Sequence, residues 1–217
     1  MIGSLGGQRA VLEQGAHALG LSPDAAQIDR LLAYGALILK WNKVYNLTAL
    51  RDPGAVLTHH LLDSLAVVGP LARERAGAGR LLDVGAGAGL PGVVVAILRP
   101  DIEVHCLDAV AKKMAFVRQV AGELKLPNLR GLHARVEWHG GAYDVIGSRA
   151  FATLADFVQG SRHLLAPGGL WMAMKGRQPD AEKAALPSSV EVFHVEQLVV
   201  PGLDAERCIV WMRARQG

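Results

Sequence analysis

A chain of 217 residues, 51% hydrophobic and 20% charged, can bury a sizeable core without disulfides and is too apolar to stay disordered. Its most apolar stretch, Gly89–Leu98, has ten residues with Pro91 and Gly92 among them, against the roughly 20 a membrane span needs. Met1–Gly7 lacks a leader pattern and Cys106 and Cys208 form no disulfide framework, so a soluble, cytoplasmic protein of net charge +3 is expected, with no membrane partner.

In chain order the first signals are helical. Ser22-Pro23 reads as an N-cap followed by proline at the first helical position, and Ile28, Leu31, Leu32 and Leu39 recur at helical spacing. Asp52-Pro53 repeats the start signal, with Val56, Leu57, His60, Leu61, Ser64, Leu65 and Val68 following at threes and fours. His59 and Asp63 share a face of that helix, but two candidate ligands do not make a metal site. Gly77–Gly79 reads as a linker, which divides the chain into a helical N-terminal extension, residues 1–76, and a second region, residues 77–217.

From there strands and helices alternate. Arg80–Val84 is a predicted strand, followed by a glycine-rich turn and a helix from about Leu90 to Leu98. Ile102–Leu107 is a strand, Ala111–Leu124 a helix, and Leu129–Ala134 and Tyr143–Gly147 are strands. Thr153–Leu165 is a helix ended by Pro167-Gly168-Gly169, and Leu170–Met174 a strand. Val190–Val200 and Cys208–Arg213 are strand-like runs linked through Pro201-Gly202. Such alternation requires crossovers, hence a doubly wound, mostly parallel α/β sheet, with the last two strands adding an antiparallel edge.

The turn Asp83-Val84-Gly85-Ala86-Gly87-Ala88-Gly89 closes the first strand of this sheet. Its glycines admit positive φ and close approach of a ligand to backbone, and ligands of such sheets lie beyond the carboxyl ends of the strands. Gly87–Gly92 formally matches GxGxxG. Counted from Gly85, which directly follows the strand, the third glycine position is instead Leu90, too large for close helix–strand packing. Asp83 would repel a pyrophosphate and favour a cationic ligand end. S-adenosylmethionine carries a sulfonium and an ammonium and no phosphate, and the GxGxG spacing suits it. Asp108 ends the next strand, where a carboxylate accepts bonds from ribose hydroxyls. Charge is uneven: residues 112–177 hold ten Lys/Arg against four acids, the remainder 13 against 16. This points to an acidic partner such as nucleic acid, with a solvated basic face as the alternative.

Several ordered blocks resemble the 16S ribosomal RNA guanine-N(7) methyltransferases of the RsmG (GidB) type. Trp41-Asn42-Lys43-Val44-Tyr45-Asn46-Leu47-Thr48 resembles that family's WNxxxNLT signature, and His60-Leu61-Leu62-Asp63-Ser64-Leu65 its HxxDSL stretch. Asp83–Gly92 matches the DVGSGxGLPG loop with Ala86 in place of serine. Lys112-Lys113 with Phe116, Arg135-Val136-Glu137, Ser148-Arg149-Ala150 and Lys175-Gly176 follow in order. The resemblance spans about Asp24 to Arg213. It implies a class I S-adenosylmethionine methyltransferase fold behind the helical extension. It further implies methyl transfer to one guanine of 16S ribosomal RNA, alone or within the small ribosomal subunit; a monomer is the expected state, which the sequence itself does not fix. Gly85, Leu90, Val136, Glu137 and Arg149 would then line the cofactor site together with Asp83, Gly87, Gly89 and Asp108.

Guanine N7 carries a free lone pair, so no general base is needed and orientation supplies much of the catalysis. The fourth strand end reads Ser148-Arg149-Ala150, where amino-group methylases place Asn/Asp-Pro-Pro-aromatic. Cys106 and Cys208 lie in apolar strands, which suits inert thiols, and the scattered histidines contain no HExxH. Arg149 and Lys175, ending the fourth and fifth strands, are the candidate catalytic residues, placed to hold cofactor, guanine O6 or phosphate. Lys112, Lys113, Arg118 and Arg135 are read as phosphate contacts or solvated cations. Trp41 and Tyr45 are read as a base-stacking pair or as core. The competing functions are a small-molecule methyltransferase and a non-catalytic RNA-binding module; a dehydrogenase comes last.

Overall fold

The structure, a computed structural model, describes residues 5–149, 153–177 and 179–215. Met1–Ser4 of the N-terminal segment and Ala150 of the Ser148–Ala150 block lie outside the described residues. Two long helices come first, α1 (Leu5–Ala18) and α2 (Ala25–Tyr45). The cap of α2 is Asp24 and not Ser22. The Asp24 carboxylate accepts from the Gln27 amide while the Gln27 side chain accepts from the Asp24 amide, so two orphan donors are paired where Ser22 would have paired one. Gln27 also donates to the Ile97 carbonyl at 3.2 Å, tying the start of α2 to the region after residue 77.

A helical run follows: α3 (Pro53–Val56), a π-helical stretch Leu57–Leu62, α4 (Asp63–Leu65) and α5 (Val68–Glu74). Asp52 caps it through the Ala55 amide. Pro53–Glu74 spans 22 residues with a mean hydropathy of 1.3, long and apolar enough to cross a membrane, which a search for unbroken apolar runs misses because His59, His60, Asp63 and Ser64 interrupt it. Most of its apolar window, 72%, is buried inside the protein, where Leu61, Leu62, Leu65 and Leu71 join the core.

The sheet elements are β1 (Gly79–Val84), α6 (Gly92–Leu98), β2 (Ile102–Asp108), α7 (Ala111–Glu123), β3 (Leu129–His133), β4 (Tyr143–Arg149), α8 (Leu154–Ser161), β5 (Leu165–Lys175), α9 (Asp180–Ala184), β6 (Val190–Leu198) and β7 (Arg207–Ala214). The strand order is β3-β2-β1-β4-β5-β7-β6. Five strands run parallel and β7 lies antiparallel between β5 and β6. This is the doubly wound, mostly parallel sheet with an antiparallel edge expected from the alternation.

Three boundaries differ from expectation. The first sheet helix begins at Gly92 rather than Leu90. The helix from Thr153 ends at Ser161, and β5 starts at Leu165, so Pro167-Gly168-Gly169 sits inside a strand. The register against β4 shifts there, between Tyr143 and Val145, as a strand irregularity built on Pro and Gly. The short α9 carried no signal.

Apolar side chains fill both faces. On one, α1, α2, the Pro53–Leu65 run, α6 and α7 share a single cluster; on the other, α8 packs over Leu82, Ile146, Trp171 and Val210. Trp41 meets Phe116 of α7 edge-on, centroids 5.3 Å apart, which makes it a core residue, with Tyr45 beside it and 43% exposed.

Candidate active site

The sheet's strand order reverses between β1 and β4, and the cleft lies at the carboxyl ends of those strands, as it does in open α/β sheets generally. Gly85 and Gly87 hold φ of 67° and 60° and Gly89 a φ of 91°, values that cost an L side chain energy. A Cβ on Gly89 would lie 2.5 Å from Val93 Cγ2, whereas one on Gly87 would point into open space. One glycine therefore serves packing and the other leaves room for a ligand.

Three neighbours fix the loop. The Gly85 and Ala86 amides donate to the Leu107 carbonyl of β2 at 2.8 and 3.1 Å. Asp83 Oδ2 accepts from the Gly92 amide at 2.8 Å. The Tyr34 hydroxyl of α2 donates to the Ala88 carbonyl at 2.8 Å, and burial pushes that phenol well above its usual range, so it stays a donor. Asp83, read from sequence as facing a cationic ligand end, is fully buried beneath the loop. Its role there is to shape the loop. Burial raises its carboxyl to about 7, opposed by the Gly92 amide and by the charge of Arg149.

Beside the loop is a cavity of about 400 Å³ whose walls include Gly85, Asp108, Val136 and Glu137. The last two stand on a 3-10 turn, Val136–Trp138, after β3. Asp108 is held by the Val110 amide at 2.8 Å on Oδ1, and by the Gly87 amide at 3.0 Å and Lys113 Nζ at 3.3 Å on Oδ2. A carboxylate with spare lone pairs, a backbone cradle left open by Gly87, and apolar walls from Leu107, Ala109, Ala134 and Val136 fit the adenosyl half of S-adenosylmethionine. Leu90 is 3% exposed and belongs to the core. Arg149 lies at a different cavity.

That second cavity, about 440 Å³, is lined by His59, His60, Asp63, Arg149, Met174, Lys175, Gly176 and Arg207. Asp63 is 2% exposed and accepts from Arg149 Nη1 at 3.1 Å and from Arg207 Nε at 2.9 Å. One carboxylate from the helical region thus aims two guanidinium groups, from β4 and β7, at one space. Arg149 also donates to the His59 carbonyl at 3.3 Å. Lys175 pairs with Glu182 of α9 at 2.8 Å.

Behind them the two N-terminal signatures meet. Asn42 donates to the Leu50 carbonyl and accepts from the Thr48 amide, and Thr48 Oγ1 lies 2.9 Å from His60 Nε2. His60 Nδ1 is 3.1 Å from the His59 carbonyl, which makes Nδ1 the donor and Nε2 the acceptor from Thr48. Burial, with the charge of Arg149, lowers His60 to about 4, so it is neutral. Sequence reasoning missed Tyr34 and Arg207 and read Asp63, with His59, only as a packed or substrate-facing surface; its pointers to Asp63 were the shared helix face and the HxxDSL block.

A larger cavity, about 840 Å³, is at the opposite ends of β5 and β7 beside Pro167–Gly169, away from this chemistry. Both cysteines are buried, and burial raises both thiols, Cys106 well above its usual range, which suits inert thiols. Among the described residues no group of three or more His, Cys, Asp or Glu is placed to hold a metal ion.

The family model described as rRNA small subunit methyltransferase G matches residues 27–210. A protein named ribosomal RNA small subunit methyltransferase G from Acidovorax sp. (strain JS42) is 61% identical over 211 residues, covering 93% of each chain. One of the same name from Polaromonas sp. (strain JS666 / ATCC BAA-500) is 62% identical over 209 residues, covering 94% of this chain and 92% of its own. Among solved structures, TrmN from Thermus thermophilus superposes with a TM-score of 0.59 at 22% identity, over 70% of this chain and 49% of that one. An S-adenosylmethionine-dependent methyltransferase from Aquifex aeolicus gives 0.57 at 15% identity, over 77% and 96%. These two likenesses speak to the fold.

Proposed function

The chain belongs to the rRNA small subunit methyltransferase G family, and on that footing we propose that it methylates N7 of one guanine in 16S ribosomal RNA, as a cytoplasmic monomer. It is an S-adenosylmethionine-dependent ribosomal RNA methyltransferase; the base, the atom, the 16S or small-subunit substrate and the oligomeric state are our reading. The observation that carries this reading is the pairing of Arg149 and Arg207 on buried Asp63 beside the glycine loop.

When bound, S-adenosylmethionine supplies an electrophilic methyl group on a sulfonium. This chain's residues bind and orient. Asp108 would accept from ribose hydroxyls, with Val136 and Glu137 against the adenine and the Gly85–Gly89 backbone around the remainder. Arg149 and Arg207 present N–H donors suited to guanine O6 or a phosphate oxygen, and Lys175 adds a point charge. No side chain in the cleft is asked to remove a proton, because N7 attacks through its own lone pair. Neutral His60 supports this wall, with its Nδ1–H committed to the His59 carbonyl and its Nε2 accepting from Thr48.

The test is transfer of labelled methyl from S-adenosylmethionine to unmodified small-subunit RNA, naked and in assembled subunits. Label recovered as 7-methylguanine at one position is the expected result. Label on a different atom or base refutes the N7 reading, and label on none of the RNAs refutes the substrate.

A further inference from the structure

Among the described residues, Trp138 is 81% exposed, while Trp171 and Trp211 are fully buried and Trp41 is packed on Phe116. A lone exposed ring needs no ligand to explain it; what singles this one out is its place and the cation beside it. This one is held at the rim of the cofactor cavity. It ends the Val136–Trp138 turn, whose first two residues form the cavity wall. The turn is closed by the Trp138 amide donating to the Arg135 carbonyl at 3.1 Å and the His139 amide to the Val136 carbonyl at 3.2 Å. It is anchored by buried Val136, whose Cγ1 lies 3.6 Å from the position of a Cβ on Gly160 of α8. The turn therefore holds the Trp138 backbone at the rim of the cavity. The Arg135 guanidinium lies 5.8 Å from the ring centroid, and Lys113 stands on the same cavity wall.

We propose that Trp138, with Arg135 beside it, is a stacking platform for an unpaired base of the RNA substrate next to the methylated guanine. An exposed aromatic face with a flanking cation matches what single-stranded nucleic acid offers, a flat π-surface joined to a phosphate. A protein partner would call for a larger apolar patch than this single ring. The inference rests on the reading of the substrate as RNA and adds a subsite that the glycine loop and the Asp63 cluster do not provide.

The experiment compares wild type, Trp138→Ala, Trp138→Phe and Arg135→Gln by binding to unmodified small-subunit RNA across salt concentration. Calorimetric affinity for S-adenosylmethionine and circular dichroism run in parallel. Loss of one stacked base is expected to weaken RNA binding about tenfold in Trp138→Ala, with the salt slope unchanged because no charge is removed. Trp138→Phe should keep most of the affinity, and Arg135→Gln should reduce the slope by about one. Cofactor affinity should stay within twofold in both Trp138 variants, and RNA should quench wild-type tryptophan emission more than that of Trp138→Phe. RNA affinity in Trp138→Ala within twofold of wild type, or a matching loss of cofactor affinity, overturns the stacking role. If wild type itself neither binds nor methylates RNA, the substrate reading fails and the platform falls with it; if wild type methylates RNA normally, the outcome judges the platform alone.

Discussion

Tyr34→Phe removes one oxygen from the core and tests how strongly the helical region governs the cofactor loop. The hydroxyl is fully buried and donates to the Ala88 carbonyl at 2.8 Å. The ring itself would remain stacked near Phe116, centroids 6.3 Å apart, so packing is nearly conserved. What changes is a carbonyl losing its donor in a dry site, a loss of about 1–3 kcal/mol. Small relaxation of the loop would reduce this, and about 1–2 kcal/mol is expected. For a chain of this size that corresponds to a melting temperature lower by about 3–6 °C. Because Ala88 lies between Gly87 and Gly89, the relaxation should also displace the ligand cradle and weaken S-adenosylmethionine several-fold. Urea unfolding and titration calorimetry measure the two effects separately. A variant with wild-type stability and wild-type cofactor affinity would refute the idea that α2 holds the loop in shape. Stability lost with affinity unchanged would restrict the bond to a packing role.

Gly87→Val should abolish measurable cofactor binding with the fold retained, since its side chain would enter open space at a φ of 60°; calorimetric affinity within threefold of wild type would refute the cradle. Asp63→Asn should lower stability by about 2–3 kcal/mol, below the cost of breaking a fully buried pair because Arg149 and Arg207 keep 22% and 25% exposure, and should reduce methyl transfer more than cofactor affinity; equal loss of both would count against a substrate-side role. Two buried groups pull pH dependence in opposite directions. Asp83, raised to about 7 from 3.8, contributes stability that is present below pH 4 and lost as pH rises through 7. His60, lowered to about 4 from 6.5, contributes stability that is present above pH 6.5 and lost as pH falls through 4. Asp83→Asn should therefore steepen the loss of stability on acidification between pH 7 and 4, and His60→Gln should flatten or reverse it, by amounts on the order of a few kcal/mol across the window; matching profiles for the two variants would contradict both assignments.

The parts of this structure that were legible in sequence are those whose cause is local. Period and punctuation locate most strands, and the glycine spacing between Asp83 and Asp108 locates the loop at the carboxyl end of β1. Reading failed where one local signal has two tertiary outcomes. Pro167-Gly168-Gly169 marks a turn in isolation but is accommodated inside β5, because the pairing with β4 resumes beyond it. A carboxylate at the end of β1 reads as ligand-facing, yet Asp83 turns under the loop toward the Gly92 amide. Arg207 and Asp63 are 144 positions apart, and a cation at the start of a strand has no pattern that names its partner. Tyr34 looks like any apolar-face aromatic on α2, and its hydroxyl acquires meaning only when Ala88 is folded against it.

The helical region before residue 77 is thus more than a cover for one face of the sheet. Tyr34 reaches the loop from α2, while His60 and Asp63 reach the cleft from the run after Pro53. Each is buried, and each bonds to a group of the sheet region or to the wall beside it. The loop's positive-φ glycines are strained for any other residue and persist because the surroundings over-determine them. Leu107 holds the loop from β2, Asp83 and Gly92 from beneath, and Tyr34 from above. None of these bonds is strong alone, at about 1 kcal/mol net, but together they leave the cradle few alternative shapes before a ligand arrives. Preorganisation of this kind matters most for a reaction that needs no proton transfer, because alignment of lone pair, methyl and sulfonium is then the main quantity the protein controls. Burial of Asp63 acts in the same way. A carboxylate free to rotate would let Arg149 and Arg207 spread over many positions, whereas one enclosed by the core fixes both guanidinium groups relative to the loop.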